Sequence, residues 1–554
     1  MSLFRTFNIR INQPYFWWLM FLAVVCFILL KTFSDYGLSW DEAFRASGGE
    51  QKLAYYLALT QGDFEGAADL RSAGDTYPGL FDLSLALLRR VSSFDDVSVG
   101  HFWSSCFGLI GILGAMFLGR RLGGPWVGLL AGIFLALCPR YWGHMFINPK
   151  DIPFAATFIW GIWAICRTLP EPNDKWIRSS LIFGLTAGAC MSVRVGGLLL
   201  FCYAGLFLGL GTVWRWWEGE RTLNTLMRRA LRLMRWLLVA GAMAFLILFA
   251  FWPSMHVNPF ATTATTLGEV THFNWQGMVL FQGELLSAAQ IPWNYLLVWL
   301  MISLPEVWFF ILLSGLLMGV CACIANRSNG LPSFVSAAPV LALSFMAVFP
   351  LAYILCKEST VYDGMRHILF ILPIIAVILA CIANRVACSL RSPLRLVWWA
   401  IIVAGLLATI VQQLRLHPYQ YIYFNRIAGG VQEASLKYDT DYWGTAYREG
   451  LELMVERVPP KTNGGNWRIT MEPPMEVLIE RIGKPVVPPP ALVEPYLRDD
   501  FILVRGHESP ELYIATTRNA YNAMRPGDVL DQVQREGAVL LEIKLLRREG
   551  TGGH

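Results

Sequence analysis

The chain has 554 residues, 55% of them hydrophobic and only 15% charged, with 22 Trp, 34 Phe and a formal net charge of +5. Soluble domains carry about 25% charged residues, so this composition, with a mean hydropathy of +0.46, excludes an ordinary soluble enzyme. The 11 Cys all lie between Cys26 and Cys388 without a CxxC pair, so neither a zinc site nor a disulfide framework is indicated.

The first 13 residues carry Arg5 and Arg10 and precede an apolar run from Pro14 to about Leu30. That run is too long for the apolar core of a signal peptide, and no small-x-small cleavage site follows it, so it reads as an uncleaved first span. A crossing helix needs roughly 20 apolar residues. On that basis about eleven spans are expected, near 14–31, 101–119, 125–138, 152–168, 179–193, 196–213, 236–252, 303–324, 335–355, 367–383 and 396–414. The first of these places the N-terminus on the cytoplasmic side if basic loops face inward. Arg120 and Arg121, the 169–178 loop with Lys175 and Arg178, the 214–235 loop with its six arginines, Arg327, and the 384–395 loop with Arg385, Arg391 and Arg395 then all lie inside. Residues 223–236 alternate Arg228, Arg229, Arg232 and Arg235 with Leu and Met, the pattern of a basic amphipathic helix on the inner leaflet.

After the last span the composition changes. Prolines cluster at 459–460, 473–474 and 488–490, and strand-like runs appear at 467–471, 501–504 and 539–543 after a helix-like stretch at 445–457. The fold class expected is thus a polytopic α-helical membrane protein, residues 1–415, followed by a small α/β domain, residues 416–554. An odd number of spans puts that domain outside, which in a bacterium is the periplasm.

The charged residues of the outside connections are the informative ones. The first opens with Ser39-Trp40-Asp41-Glu42-Ala43-Phe44-Arg45. Asp41 there suits a general base at the membrane surface; Arg45 falls one helical turn on. The same residues also fit a helix cap and a surface ion pair. The second connection, 139–153, holds Arg140, His144, Lys150 and Asp151; interfacial anchoring accounts for its Tyr141 and Trp142 but not for Asp151. Arg194 stands between two short apolar runs, before Val195-Gly196-Gly197. Two helices meeting there would bring it to the outer surface, where it suits either a lipid phosphate or a loop carboxylate. Arg366 and His367 open the tenth span and are further phosphate candidates.

Asp41-Glu42 after the first span, the Asn148-Pro149-Lys150-Asp151 loop, and Tyr362-Asp363-Gly364-x-Arg366-His367 together resemble the GT-C superfamily of polyprenyl-phosphate-sugar-dependent glycosyltransferases. The branch resembled is the protein O-mannosyltransferase and lipid A aminoarabinose transferase group, over roughly residues 10–415. The tail from His417 to Gly444 differs from the soluble domains of those groups and leaves the acceptor open. The resemblance implies a polyprenyl-phosphate sugar as donor and a periplasmic protein, lipid or glycan as acceptor. It implies Asp41, Glu42 and Asp151 as catalytic carboxylates, and Arg45, Lys150, Arg194, Arg366 and His367 as donor-phosphate ligands. No Walker-type nucleotide loop is present. No cofactor is required, although the carboxylates suit a divalent metal; membrane lipids are expected partners and nucleic acid is not. A lipid or polysaccharide transporter would instead place ionisable residues in mid-span, and a non-catalytic assembly partner would have no use for this set of carboxylates and cations.

The loop charges make a topological prediction. An alkaline phosphatase fused at the C-terminus is expected to be active; an inactive phosphatase there, together with an active cytoplasmic reporter, would overturn the odd span count.

Overall fold

The computed structural model describes residues 13–73, 77–219, 221–271, 275, 277–325, 334–357, 359–462, 464–472, 496–504 and 509–547. Arg5, Arg10, Arg327 and the prolines at 473–474 and 488–490 lie outside these residues.

The helices, in chain order, are α1 (Gln13–Thr32), α2 (Trp40–Thr60), α3 (Phe64–Ala73), α4 (Leu80–Val91), α5 (Asp96–Gly123), α6 (Pro125–Ala136), α7 (Pro139–Ile147), α8 (Asp151–Thr168), α9 (Trp176–Met191) and α10 (Leu199–Glu218). They continue with α11 (Leu223–Phe251), α12 (Pro259–Thr271), α13 (Tyr295–Ser303), α14 (Glu306–Ala325), α15 (Phe334–Lys357), α16 (Leu372–Ser389), α17 (Ser392–Leu416), α18 (Gly430–Ser435) and α19 (Ala446–Arg457). Each expected span overlaps a helix, but about eleven crossings are more than the helices alone support. Among the described residues, six are long and apolar enough to cross a membrane alone, and up to eight spans result if each of two bent pairs counts as one. The chain is a multi-pass membrane protein.

Three local differences from the sequence reading have physical causes. The 139–153 connection is not an open loop. Pro139 starts α7, which bends 68° from α6 and is buried along its whole length. Gly143 permits this, because a Cβ there would lie 2.3 Å from the backbone nitrogen of Tyr421. The basic stretch 223–236 is not a separate surface helix; it is the first half of the continuous, 29-residue α11, since neither Gly nor Pro interrupts it before Gly241. Long connections are also helical: α2 to α4 fill the segment between α1 and α5, where Asp82, wholly buried, holds α4 against α2 through Arg45 and Lys52.

Beyond α17 the chain stays on the membrane domain before forming its sheet. Tyr419, Tyr421, Ile422, Tyr423 and Phe424 are all buried. Asn425 turns the chain: its amide donates to the carbonyls of Met301 at 2.7 Å and Leu304 at 2.9 Å, across the 106° bend between α13 and α14. A hairpin of β1 (Met278–Phe281) and β2 (Glu284–Ser287) packs beside this segment, Phe281 bridging to Tyr438. Its two-residue turn, Gln282-Gly283, has both residues at positive φ, the twist that suits a tight hairpin. Asp441 accepts from the backbone nitrogens of Thr445 and Ala446 at 3.1 and 2.9 Å and so starts α19. The C-terminal sheet has β3 (Trp467–Glu472), β4 (Phe501–Leu503), β5 (Leu512–Thr516), β6 (Gly527–Arg535) and β7 (Ala538–Leu546) in the order β4-β3-β5-β7-β6. The first two pairings are parallel and the last two antiparallel. Strand β5 is buried at every position, and α19 covers the sheet, with Gly450 allowing Leu541 to approach.

Asn425→Ala removes the two side-chain bonds across the α13–α14 bend, leaving the backbone bond from Asn425 to the carbonyl of Ile302 at 2.9 Å, and strips the carbonyls of Met301 and Leu304 of their amide donor. A loss of about 1–3 kcal/mol is expected, seen as a lower melting temperature in detergent; an unchanged melt would show that the bend holds itself.

Candidate active site

The site forms where the starts of α2 and α8, the α9–α10 junction and the turn before α16 meet the segment 439–443. Ser39 anchors the start of α2: its Oγ donates to the carbonyl of Ile147 at 2.7 Å, and its backbone nitrogen donates to Glu42 at 2.9 Å. The first bond ties α2 to the end of α7, bringing Asp41 opposite Asp151.

Asn148 organises the start of α8. Its Oδ1 accepts from the backbone nitrogen of Asp151 at 2.8 Å, and its Nδ2 donates to Asp151 Oδ2 at 3.0 Å. Behind it stand His144 and Tyr442, with His144 Nδ1 3.2 Å from Asn148 Nδ2 and His144 Nε2 3.1 Å from the Tyr442 hydroxyl. Arg140 approaches the same hydroxyl at 3.4 Å, its guanidinium 5.1 Å from the Trp299 ring and 4.9 Å from the Phe424 ring.

Arg366 lies at the centre. It opens a 3-10 turn (Arg366–Ile371) that leads into α16. Its Nη2 is 2.9 Å from Asp41, its Nε 3.4 Å from Asp151 and its Nη1 3.1 Å from Asp363, while Trp443 lies under the guanidinium at 4.5 Å. Arg194 pairs with the other oxygen of Asp151. It stands where α9 ends and a 3-10 turn (Val195–Leu198) begins, the two-helix junction expected from the sequence, and its partner here is a carboxylate. The Asp41 side chain is 27% exposed, against 3% for Asp151 and 7% for Asp363. Of the three carboxylates around Arg366, Asp41 is the one an incoming molecule reaches first.

Lys150 leans over the Tyr77 ring at 4.7 Å, in the field of Asp41, Arg194 and Arg366. Burial holds its ammonium below the usual lysine range, with Arg194 adding to the fall. His367 turns its ring edge to Tyr362.

Two predicted residues stand apart. Arg45 does not turn to Asp41. It pairs bidentately with Asp82 at 2.8 and 2.7 Å, because a buried carboxylate needs charged partners; it also lies over the Tyr77 ring at 5.4 Å, the ring that Lys150 covers as well. Glu42 bonds back to its own helix start and lies 3.2 Å from His101. Asp41, Asp151, Lys150, Arg194 and Arg366 are brought together. Sequence reasoning did not pick out Asn148 or Asp363 as site members, although both stand in the quoted motifs. It also missed Arg518, whose Nη2 donates to Asp363 at 2.6 Å; no local motif marks it. Among the described residues no group of three or more His, Cys, Asp or Glu is placed to hold a metal.

No protein-family model matches this sequence, and no curated protein matches it. Solved structures do resemble it in overall form. One is ArnT from Cupriavidus metallidurans bound to undecaprenyl phosphate, 13% identical, covering 95% of this chain and 98% of that one, with a TM-score of 0.46. Another is the archaeal oligosaccharyltransferase AglB from Archaeoglobus fulgidus in complex with an inhibitory peptide and a dolichol-phosphate, 12% identical over 91% and 69% of the two chains, with a TM-score of 0.47. A third is the arabinosyltransferase EmbB from Mycobacterium smegmatis, 14% identical over 71% and 37%, with a TM-score of 0.33.

Asp439, beneath the site, accepts from the backbone nitrogen of Leu280 at 3.1 Å. Burial pushes its carboxyl up to about 7, against the pull of Arg518. An unfolded Asp loses its proton near pH 4. Between about pH 4 and 7 the folded chain therefore holds a proton that the unfolded chain has released, and stability falls as pH rises through that window. Asp439→Asn is expected to melt higher than wild type at pH 8, with the difference shrinking toward pH 5. A difference equal at both pH values would remove the linkage.

Breaking the centre is expected to be costly. Arg366→Ala leaves Asp41, Asp151 and Asp363 without their shared cation, and removing one partner of a buried pair costs about 3–5 kcal/mol. Thermal unfolding of purified Arg366→Ala and Arg366→Lys should show a large loss for the first and a smaller one for the second; equal melts would mean that Arg366 carries no structural charge load.

Proposed function

We propose that the protein is an inner-membrane glycosyltransferase of GT-C type that moves a sugar from a polyprenyl-phosphate carrier to a periplasmic acceptor. In this reading residues 1–415 form the transferase body and residues 416–554 a periplasmic domain. The acceptor is a protein, a lipid such as lipid A, or another glycan.

The observation that carries the reading is the contact between Asp41 and Arg366. One half-open carboxylate is held by a guanidinium that also serves two buried carboxylates. Lys150, Arg194 and Arg366 gather around Asp41 and Asp151, and cations grouped in this way suit the negative charge of a phosphodiester. A donor phosphate that takes up the Nη edge of Arg366 displaces Asp41, the most exposed of its partners. Asp41 is then free to accept a proton.

The chemistry follows from those positions. The acceptor oxygen or nitrogen attacks the anomeric carbon from the side opposite the phosphate. The carbon–oxygen bond to the phosphate breaks, and polyprenyl phosphate leaves with its negative charge held by Arg366, Arg194 and Lys150. The acceptor proton passes to Asp41. The sugar carbon inverts, and no covalent sugar–enzyme intermediate is needed. Preorganised cations aimed at the leaving group supply electrostatic stabilisation without reorganisation, and the carboxylate supplies the proton acceptor.

Asp41→Asn keeps the side-chain shape and removes the base. It is expected to insert, to bind undecaprenyl phosphate, and to lose about 10²–10⁴-fold in transfer, measured as sugar released from a polyprenyl-phosphate donor to extracted envelope acceptors. Transfer at the wild-type rate would take the role from Asp41 and pass it to Asp151 or Glu42.

A further inference from the structure

We propose that Arg518, a residue of the C-terminal sheet domain, is a positioning residue of the Asp41 site, acting through Asp363 and Arg366. The proposal rests on the reading of Arg366 as a donor-phosphate ligand.

Arg518 stands directly after β5 and opens a 3-10 segment (Arg518–Ala523) in which Asn519 and Ala520 adopt positive φ, 52° and 56°. Thr517 fixes its root, donating from its backbone nitrogen to the carbonyl of Leu540 at 3.0 Å. The guanidinium then leaves the sheet domain. Its Nη1 donates to the carbonyl of Tyr442 at 2.5 Å and its Nη2 to Asp363 Oδ1 at 2.6 Å. The other oxygen of Asp363 accepts from Arg366 at 3.1 Å. One carboxylate is thus divided between a cation of the sheet domain and a cation of the membrane site. Asp363 is held for this role by a turn at positive φ, 55°, followed by Gly364, whose nitrogen donates to the Tyr295 hydroxyl at 3.0 Å.

The division of Asp363 has a functional direction. Asp41, Asp151 and Asp363 compete for one guanidinium. An Asp363 carboxylate without Arg518 would bear its whole charge toward Arg366 and draw it from the Asp41 edge, where the donor phosphate must bind. Arg518 takes up part of that charge and leaves Arg366 turned to Asp41. The neighbouring segment supplies the floor under the same guanidinium, through Trp443. The membrane site is therefore complete only when the sheet domain is docked.

The consequence is a suppression pattern that a merely structural contact does not give. Arg518→Gln should weaken binding of undecaprenyl phosphate and raise the donor KM by about 10–100-fold, the worth of one charge-assisted hydrogen bond, with kcat changed far less. Arg518→Lys should recover much of the affinity. Adding Asp363→Asn to Arg518→Gln should restore binding toward wild type, because the uncompensated carboxylate is gone. Arg457→Gln, in an exposed pair with Asp531 on the same domain, should change nothing. The experiment uses the full chain in detergent or nanodiscs, with undecaprenyl phosphate alone as the binding probe and hydrogen exchange across 362–369 as a second readout. Unaltered affinity and exchange in Arg518→Gln, or a double variant weaker than Arg518→Gln, would overturn the proposal. A wild-type chain that transfers no sugar would sink the functional reading, and the exchange and suppression results would still decide the role of Arg518.

Discussion

Three carboxylates share the guanidinium of Arg366, and the arrangement of the site follows from that constraint. A buried guanidinium is tolerated only where its charge and its donors are met. Meeting them draws together α2 through Asp41, α8 through Asp151 and the turn before α16 through Asp363. Those elements lie far apart in sequence. Apolar packing supplies most of the driving force for the bundle, including Phe154 and Phe158 of α8 against Phe370. The ionic centre fixes which residues of each helix end face one another.

The centre is also unevenly buried, and the unevenness separates roles. Asp151 is enclosed, bonded by Asn148 and paired with Arg194 as well as Arg366. Such a carboxylate serves as a fixed counter-charge. Asp41 makes one ion pair among the described residues and has an open side, so its pairing can be exchanged for another anion at lower cost. Chemistry is best placed on the member of a network that can change partners, and the enclosed members keep the geometry while it does.

The apolar runs made the helices legible, because a stretch that must satisfy its backbone in lipid has no other regular form available. The charged ends were legible as candidates for the same reason, since ionisable residues beside a span are costly unless used. Asp41, Asp151, Arg194 and Arg366 came from that signal. Arg45 misled because helical spacing fixes which residues share a face and does not reveal a third partner; Asp82 lies on another helix and outcompetes Asp41 for it. The 139–153 segment misled because its polar residues read as a loop, while Arg140 and His144 are buried against aromatic rings and the Tyr442 hydroxyl that the chain supplies some 300 residues later. Arg518 was invisible for a related reason: its importance lies wholly in a contact that the tertiary fold creates.

That dispersal along the chain has a bearing on synthesis. The ribosome delivers Asp41 first, then Asp151 and Arg194, then Asp363 with Arg366, and Arg518 only near the end. Through most of translation the early helices would carry Asp41 at the membrane surface with no guanidinium of its own, while Asp151 already has Arg194. The half-built centre is electrostatically incomplete, and the arrival of the turn at 363–366 closes it before the sheet domain exists. A chain halted between residues 416 and 518 would hold the membrane helices and Asp41 yet leave Asp363 unshared, so assembly of the charge network, and not insertion of the last helix, marks the point at which the molecule is finished.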